Sequence, residues 1–142
     1  MAVLAPGVPI SGRMAGDADA GSVVIERSLD GHFGIIAKVD DVPMTLMVDT
    51  GASFVTLTSA DAARIGVNPS TLDYSVPIRT ANGPMRAARV TIDRIAIGSI
   101  VRDNVPALVA PAASLDQSLL GMSYLDTLGG YAISGNRMVL RP

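Results

Sequence analysis

Short apolar runs, each closed by a turn-forming pair, fill most of this chain and leave little room for long helices. "SVVIERS" runs into a turn at Asp30-Gly31, "FGIIAKV" into one at Asp40-Asp41, and "MTLMVD" ends at Asp49. β-Branched residues at this spacing predict an antiparallel sheet. "FVTL" is a further strand after Ser53. Residues 69–110 read as a set of hairpins, with turn candidates at Asn82-Gly83, Asp93-Arg94, Gly98-Ser99 and Asp103-Asn104. The Ala-Asn-Gly-Pro turn lies between "YSVPIRT" and "MRAARVTI" and marks the tip of a long hairpin. "YAISGNRMVL" reads as a closing hairpin about Ser134-Gly135-Asn136.

Two segments break this pattern. "TSADAARIG" predicts a short helix, with Thr58 as N-cap, Asp61 three residues on and Gly66 at the stop position. "SLLGMSYLDTLGG" predicts a short strand and then a second helix, with Met122, Leu125 and Leu128 on one face and Gly129 as its stop. Residues 1–21 are rich in Ala, Gly, Pro and Asp, lack periodicity, and read as a tail or linker. The expectation is an all-β domain over residues 22–142 with two short helices.

The totals exclude several classes. The chain has 142 residues, enough for one domain with a modest core. Nearly half of them are apolar and few are aromatic, so aliphatic side chains must build that core. Net charge is −2, with no charge run to advertise a nucleic-acid surface. Cysteine is absent, which removes disulfides, thiolate metal sites and Cys nucleophiles. The one histidine, His32, follows a turn signal and reads as structural or surface. No metal or cofactor is expected. No run approaches the roughly 20 apolar residues that a membrane span needs. The opening "MAVLAPGVPI" lacks a basic leader and is not a signal peptide as it stands.

Chemistry concentrates at "TLMVDTGASFVTL". Asp49 ends an apolar strand and precedes a turn containing Gly51. Glycine there lets backbone N–H groups approach the carboxylate with no Cβ in the way. Such a loop holds a carboxylate still. The same residues also suit an aspartate that only caps its own turn, and "DTG" alone leaves both readings open.

The order of motifs is more specific. Asp-Thr-Gly-Ala-Ser, a hairpin tip "TANG" and then "SLLGMSYL" resemble the retropepsin-like aspartic proteases, in particular their bacterial, membrane-anchored branch. The resemblance covers about residues 22–142. It implies a small closed β-barrel with a flap hairpin, and Asp49 as the catalytic aspartate. Thr50 would supply a hydroxyl network beneath Asp49, and Gly51 would shape the loop. Ala52 and Ser53 would hold substrate backbone. Thr80, Ala81, Asn82, Gly83 and Met85 would belong to the flap. Leu119, Leu120 and Gly121 would pack behind the catalytic loop. The branch implies a periplasmic catalytic domain on the bacterial inner membrane, anchored through a segment absent from this chain.

Two departures stand out. Retroviral proteases tend to carry an acidic residue shortly after the catalytic triplet, where this chain has Ser53 and Phe54. They also stop within a short strand after the second helix, whereas this chain continues through "YAISGNRMVLRP". The second departure bears on how subunits meet.

Paired-carboxylate chemistry needs a second acid. Asp126-Thr127 is followed by Leu128 where glycine is required, and it falls in the predicted second helix. Asp40, Asp41, Asp93, Asp103 and Asp116 sit in turn-like contexts. The second acid is therefore expected to be Asp49 of another copy, on a two-fold axis. The implied partners are a peptide or protein substrate and a second copy of the chain, with no nucleic acid. Val55, Ile78, Met85 and Val109 are expected to line an apolar cleft, with preference for apolar residues at the scissile bond. The alternative is a catalytically weak retropepsin-like module for peptide binding or dimerisation. An aspartyl-phosphate enzyme would need crossover helices and acidic metal ligands that the pattern lacks.

Overall fold

Two-residue turns set the register of the sheet. The computed structural model describes residues 20–80 and 83–142. Strands β1 (Val23–Glu26), β2 (Gly34–Val39) and β3 (Val42–Val48) come first. Between β2 and β3, Asp40 and Asp41 both have positive φ, 48° and 66°, as a type I′ hairpin turn requires, and Val39 pairs with Val42 across it. After the Asp49 loop follow β4 (Val55–Leu57) and α1 (Ser59–Arg64). Thr58 caps α1 by accepting from the Asp61 N–H at 3.1 Å, as the sequence predicts.

The middle of the chain forms β5 (Val76–Thr80), β6 (Gly83–Ile97) and β7 (Ile100–Val109). Two of the predicted turns are not chain reversals. Asp93-Arg94 and Asp103-Asn104 lie opposite each other inside the β6–β7 ladder. There the inward face switches. Ile92 and Val105 are buried on one side of the switch, and Ile95, Ile97 and Ile100 on the other, with Asp93, Arg94, Asp103 and Asn104 exposed between. Asn104, at φ 53°, takes the left-handed conformation that asparagine tolerates. The turn-like composition marks a roll of a long hairpin, which lets one ribbon serve two layers.

The chain ends with β8 (Ser118–Leu120), α2 (Met122–Leu125), β9 (Gly130–Ser134) and β10 (Arg137–Arg141). The second helix is shorter than its sequence pattern predicts. It spans four residues, and Asp126 is its C-cap. Gly129 is not its stop. The Gly129 N–H instead donates to the chain end, at Arg141 O and Pro142 O.

Strands β2-β3-β8-β4-β7-β6 are neighbours in that order, and β2 pairs back to β6, which closes a six-stranded barrel. β5 extends from it on the free part of β6. A separate three-stranded sheet runs β1-β10-β9. The all-β reading with two short helices is what the structure shows. Its core is aliphatic: Leu46, Leu57, Ile92, Ile95, Ile97 and Leu120 are fully buried, with Tyr124 as the one large aromatic among them. Each such aliphatic side chain stabilises by about 1.5–3 kcal/mol on burial. The ion pairs Arg94–Asp103 and Arg137–Glu26 are exposed and add little.

Tyr124 donates to Ile100 O at 3.2 Å, and burial pushes its phenol pKa well above the ordinary 10.0. A phenol held neutral by the fold gives its full contribution below about pH 10. That contribution is lost as pH rises further, because the unfolded chain ionises first. Urea titrations should therefore show stability falling above about pH 10 in the native protein, with a shallower fall in Tyr124→Phe. At neutral pH the same variant should be less stable by about 1 kcal/mol, through the lost hydrogen bond.

Candidate active site

The site is built where β8 inserts between β3 and β4. β8 runs parallel to β3, pairing Leu46 with Ser118, Met47 with Leu119 and Val48 with Leu120. It meets β4 through Thr56 and Leu119. β3 and β4 are thus neighbours in sequence but are held apart by a strand from the far end of the chain. The residues between them, 49–54, must arch over that strand.

Asp49 stands at the start of this arch. Its N–H donates to Leu120 O at 3.1 Å, which ties it to the end of β8. Its Oδ1 accepts from the Gly51 N–H at 2.9 Å, and its carbonyl accepts from the Ala52 N–H at 3.1 Å. A Cβ on Gly51 would lie 3.2 Å from Oδ1, close enough to press on the carboxylate. Asp49 is half-buried, with Thr50 and Gly51 exposed beside it.

The rest of the arch is clamped from below. The Met122 N–H donates to Ala52 O at 2.8 Å. The Val55 N–H donates to Ser123 Oγ at 2.8 Å, and Ser123 Oγ donates in turn to Pro106 O at 2.7 Å. Gly121 sits at the crossing. A Cβ there would lie 2.3 Å from Phe54 O and 2.7 Å from Ala52 O. Ser123 was not among the residues the sequence singled out. A serine in a short helix carries no signal until the fold brings β4 and β7 to it.

A second buried network supports the same strand. Ser118, fully buried, donates to Asp61 Oδ2 at 2.6 Å and accepts from the Thr58 N–H at 3.0 Å. Asp61 also pairs with Arg64 at 3.2 Å. These bonds fix α1 against β8.

The β5–β6 hairpin carries the next group of candidate residues. Ile78 pairs with Met85 and Thr80 with Gly83, and Thr80 Oγ1 donates to Gly83 O at 2.7 Å. Ala81 and Asn82, expected at the tip, lie outside the described residues. One face of the hairpin is half-buried, with Val76, Ile78, Thr80 and Met85. The other is exposed, with Pro77, Arg79, Pro84 and Arg86. Of the four expected cleft residues, Val55 and Val109 are instead fully buried in the barrel core. They sit on strands that face inward, which leaves Ile78 and Met85 as apolar groups on the hairpin. Phe54, in the position where an acidic residue was absent, stacks under the Arg89 guanidinium at 5.0 Å.

Several other acids among the described residues are engaged elsewhere or exposed. Asp126 is exposed at the end of α2. Asp40 accepts from the Arg94 N–H, and Asp103 pairs with the Arg94 side chain. His32 is exposed in the turn capped by Asp30. Among the described residues no three His, Cys, Asp or Glu side chains gather as a metal site. No helix of the described residues is long and apolar enough to cross a membrane.

A single-lobed closed barrel, with an aspartate arch over an inserted strand, is the architecture of the retropepsin-like acid proteases. Residues 35–124 match the aspartyl protease family model, and the chain belongs to that family. A crystal structure of a retropepsin-like aspartic protease from Rickettsia conorii is 40% identical, with a TM-score of 0.77. The match covers 84% of this chain and 89% of that one. The EIAV protease complexed with the inhibitor HBY-793 shares the fold, with a TM-score of 0.60 at 21% identity, over 75% of this chain and 96% of that one. An uncharacterised protein from the 5′ region of cobV in Sinorhizobium is 49% identical over 106 residues, 75% of this chain and 46% of that protein. An uncharacterised protein of Rickettsia prowazekii is 39% identical over 122 residues, 86% of this chain and 52% of that protein. The chain therefore spans about half the length of these two relatives.

The crossing at Gly121 has a direct test. Gly121→Ala should lower stability by about 1–3 kcal/mol in thermal or urea unfolding, because the added methyl group must displace the arch. Gly130→Ala is the control, since a Cβ there meets nothing within 4 Å. Equal effects of the two substitutions would show that the crossing has slack.

Proposed function

We propose that this chain is an aspartic endopeptidase in which two Asp49 carboxylates, one from each copy of a homodimer, activate a water. The observation that carries the reading is Asp49 itself. It is fixed by the Leu120 carbonyl and the Gly51 N–H on a rigid arch, in a chain with one Asp-Thr-Gly and one lobe. Two carboxylates about 3 Å apart cannot both ionise, so the pair shares one proton. The ionised partner takes a proton from water as the water oxygen attacks the peptide carbonyl. The protonated partner donates to the carbonyl oxygen. The roles then reverse, and the amine leaves with a proton. One carboxylate cannot perform both transfers at once, which is why a second copy belongs to the reading.

The hairpin suits the substrate's part. An extended peptide between β5–β6 and the arch pairs its backbone as an added strand. Ala52 and Ser53 hold it from the arch side, and Thr80 through Met85 act as the flap above it. Ile78 and Met85, half-buried and paired, favour apolar side chains beside the scissile bond. Thr50 and Gly51 support Asp49, and Leu119, Leu120 and Gly121 back the arch. In this reading the catalytic unit is residues 22–142, with residues 1–21 as a linker.

The test is cleavage of a diverse peptide pool from acid to neutral pH, with Asp49→Asn alongside. The native chain should cut between apolar residues. The variant should lose on the order of 1,000-fold or more in kcat/KM while unfolding at the same urea concentration. Equal cleavage by both proteins would remove Asp49 from the chemistry.

A further inference from the structure

A row of side chains on the barrel wall leads from the arch to one arginine. Val55, Leu57, Ala107 and Val109 point into the core, so Thr56 and Leu108, which alternate with them, point the other way. Directly paired residues share a face of a sheet. Thr56 pairs with Leu119 on one side and Leu108 on the other, and Leu108 pairs with Arg89. The row Leu119, Thr56, Leu108, Arg89 therefore crosses β8, β4, β7 and β6 on the face away from the core. Thr56 and Leu108 are covered, Leu119 is half-buried and Arg89 is exposed. Leu119 precedes Leu120, whose carbonyl holds the Asp49 N–H. At the far end the Arg89 guanidinium stands 5.0 Å from the centroid of the Phe54 ring. Phe54 is the last residue of the arch, and its carbonyl accepts from Thr56 Oγ1 at 3.0 Å. An aromatic face holds a guanidinium by its plane and leaves the N–H groups at its edge able to donate.

The charge around Arg89 is one-sided. Residues 74–92, which form the hairpin and the strand behind it, hold Arg79, Arg86 and Arg89 and no acid, in a chain of net charge −2. Among the described residues the ion pairs are Arg64–Asp61, Arg94–Asp103 and Arg137–Glu26, and none of the three arginines joins one. Arg79 and Arg86 lie on the exposed face of the hairpin, where Arg86 donates to Ser75 O at 3.3 Å. They add to the local positive potential. Arg89 is the one that stands against the arch.

We infer that Arg89, oriented by Phe54, selects substrates that carry an acidic side chain, Asp or Glu, flanking the apolar residues at the scissile bond. The inference rests on the reading of Asp49 as a catalyst of peptide cleavage and names a further feature of the peptide it takes. The guanidinium fork meets a carboxylate with two parallel N–H donors, a pairing that neutral and basic side chains do not match. Neighbouring strands are about 4.8 Å apart, so β6 lies roughly 14 Å from β8 along the row. An extended peptide advances about 3.3 Å per residue, which puts the selected acid within about four residues of the scissile bond. The positive hairpin also draws acidic segments toward the cleft, an attraction that salt screens.

The probe is a set of aliphatic decapeptides in which one position at a time is Glu, Gln or Lys. Cleavage is measured as kcat/KM, and binding to the Asp49→Asn chain is measured in parallel by fluorescence anisotropy. At one or more positions flanking the cut, Glu should be preferred over Lys by on the order of 10-fold. That preference should shrink at about 0.5 M salt. Arg89→Glu should invert the order and favour Lys, and Arg89→Lys should keep the order with a smaller ratio. Each ratio is taken on one protein preparation, so a variant that is partly unfolded still reports it. A stack that only braces the arch would lower cleavage of all the peptides alike and leave the ratio unchanged. Native cleavage with no Glu preference, or a preference that survives in Arg89→Glu, overturns the inference and leaves the protease reading standing. No cleavage, with a Glu preference in binding that Arg89→Glu inverts, supports the carboxylate site and overturns the protease reading. Absence of both cleavage and binding overturns both.

Discussion

The arch over β8 is the constraint on which the site depends. Three strands must lie side by side in the order β3-β8-β4, although β8 comes more than fifty residues after the other two. The connection from β3 to β4 therefore has to leave the sheet, pass over the end of the intruding strand and return. That detour puts Asp49 outside the ladder with its backbone still anchored to it, through the bond from its N–H to Leu120 O. It also brings the backbone at Gly121 so near Ala52 and Phe54 that no side chain fits between. The loop that carries the carboxylate is held by backbone geometry, and its rigidity follows from the topology.

Polar groups within the sheet keep this arrangement in one register. Ser118 accepts a bond from the cap of α1 and gives one to Asp61. Ser123 accepts from the start of β4 and gives one to β7. Each hydroxyl uses both capacities, as buried polar groups must if they are not to cost stability. The two serines stand on either side of Leu119-Leu120-Gly121. Apolar packing alone would tolerate some sliding of so short a strand. Directional bonds at both of its ends do not.

Much of the fold was legible because its signals are local. Asp40-Asp41 marks a turn by its own conformational preference, and Thr58 caps α1 through a bond to Asp61, three residues away. Alternation along "MTLMVD" is visible without any partner strand. The failures share a cause. Asp93-Arg94 and Asp103-Asn104 have turn composition, but the chain there continues as strand, because the two segments pair with each other and roll together. Val55 and Val109 were expected in a cleft, yet an isolated valine does not reveal which side of a barrel wall it faces. The second helix stops at Leu125, because the chain then turns toward its own C-terminus, a contact no window of sequence contains.

The sequence by itself determined the kind of carboxylate this chain carries. Asp49 at a strand end, followed by Thr-Gly-Ala-Ser, specifies a loop, and a single such motif in a one-lobed chain is what the proposal of a second copy starts from. The tertiary structure decided what surrounds it: which strand passes beneath, which hydroxyls clamp the arch, and which guanidinium stacks on Phe54. The physical reason lies in range. Turn preference and alternation act between residues a few positions apart and are written in the order of the chain. Burial and cross-strand pairing act between residues brought together only when the barrel closes.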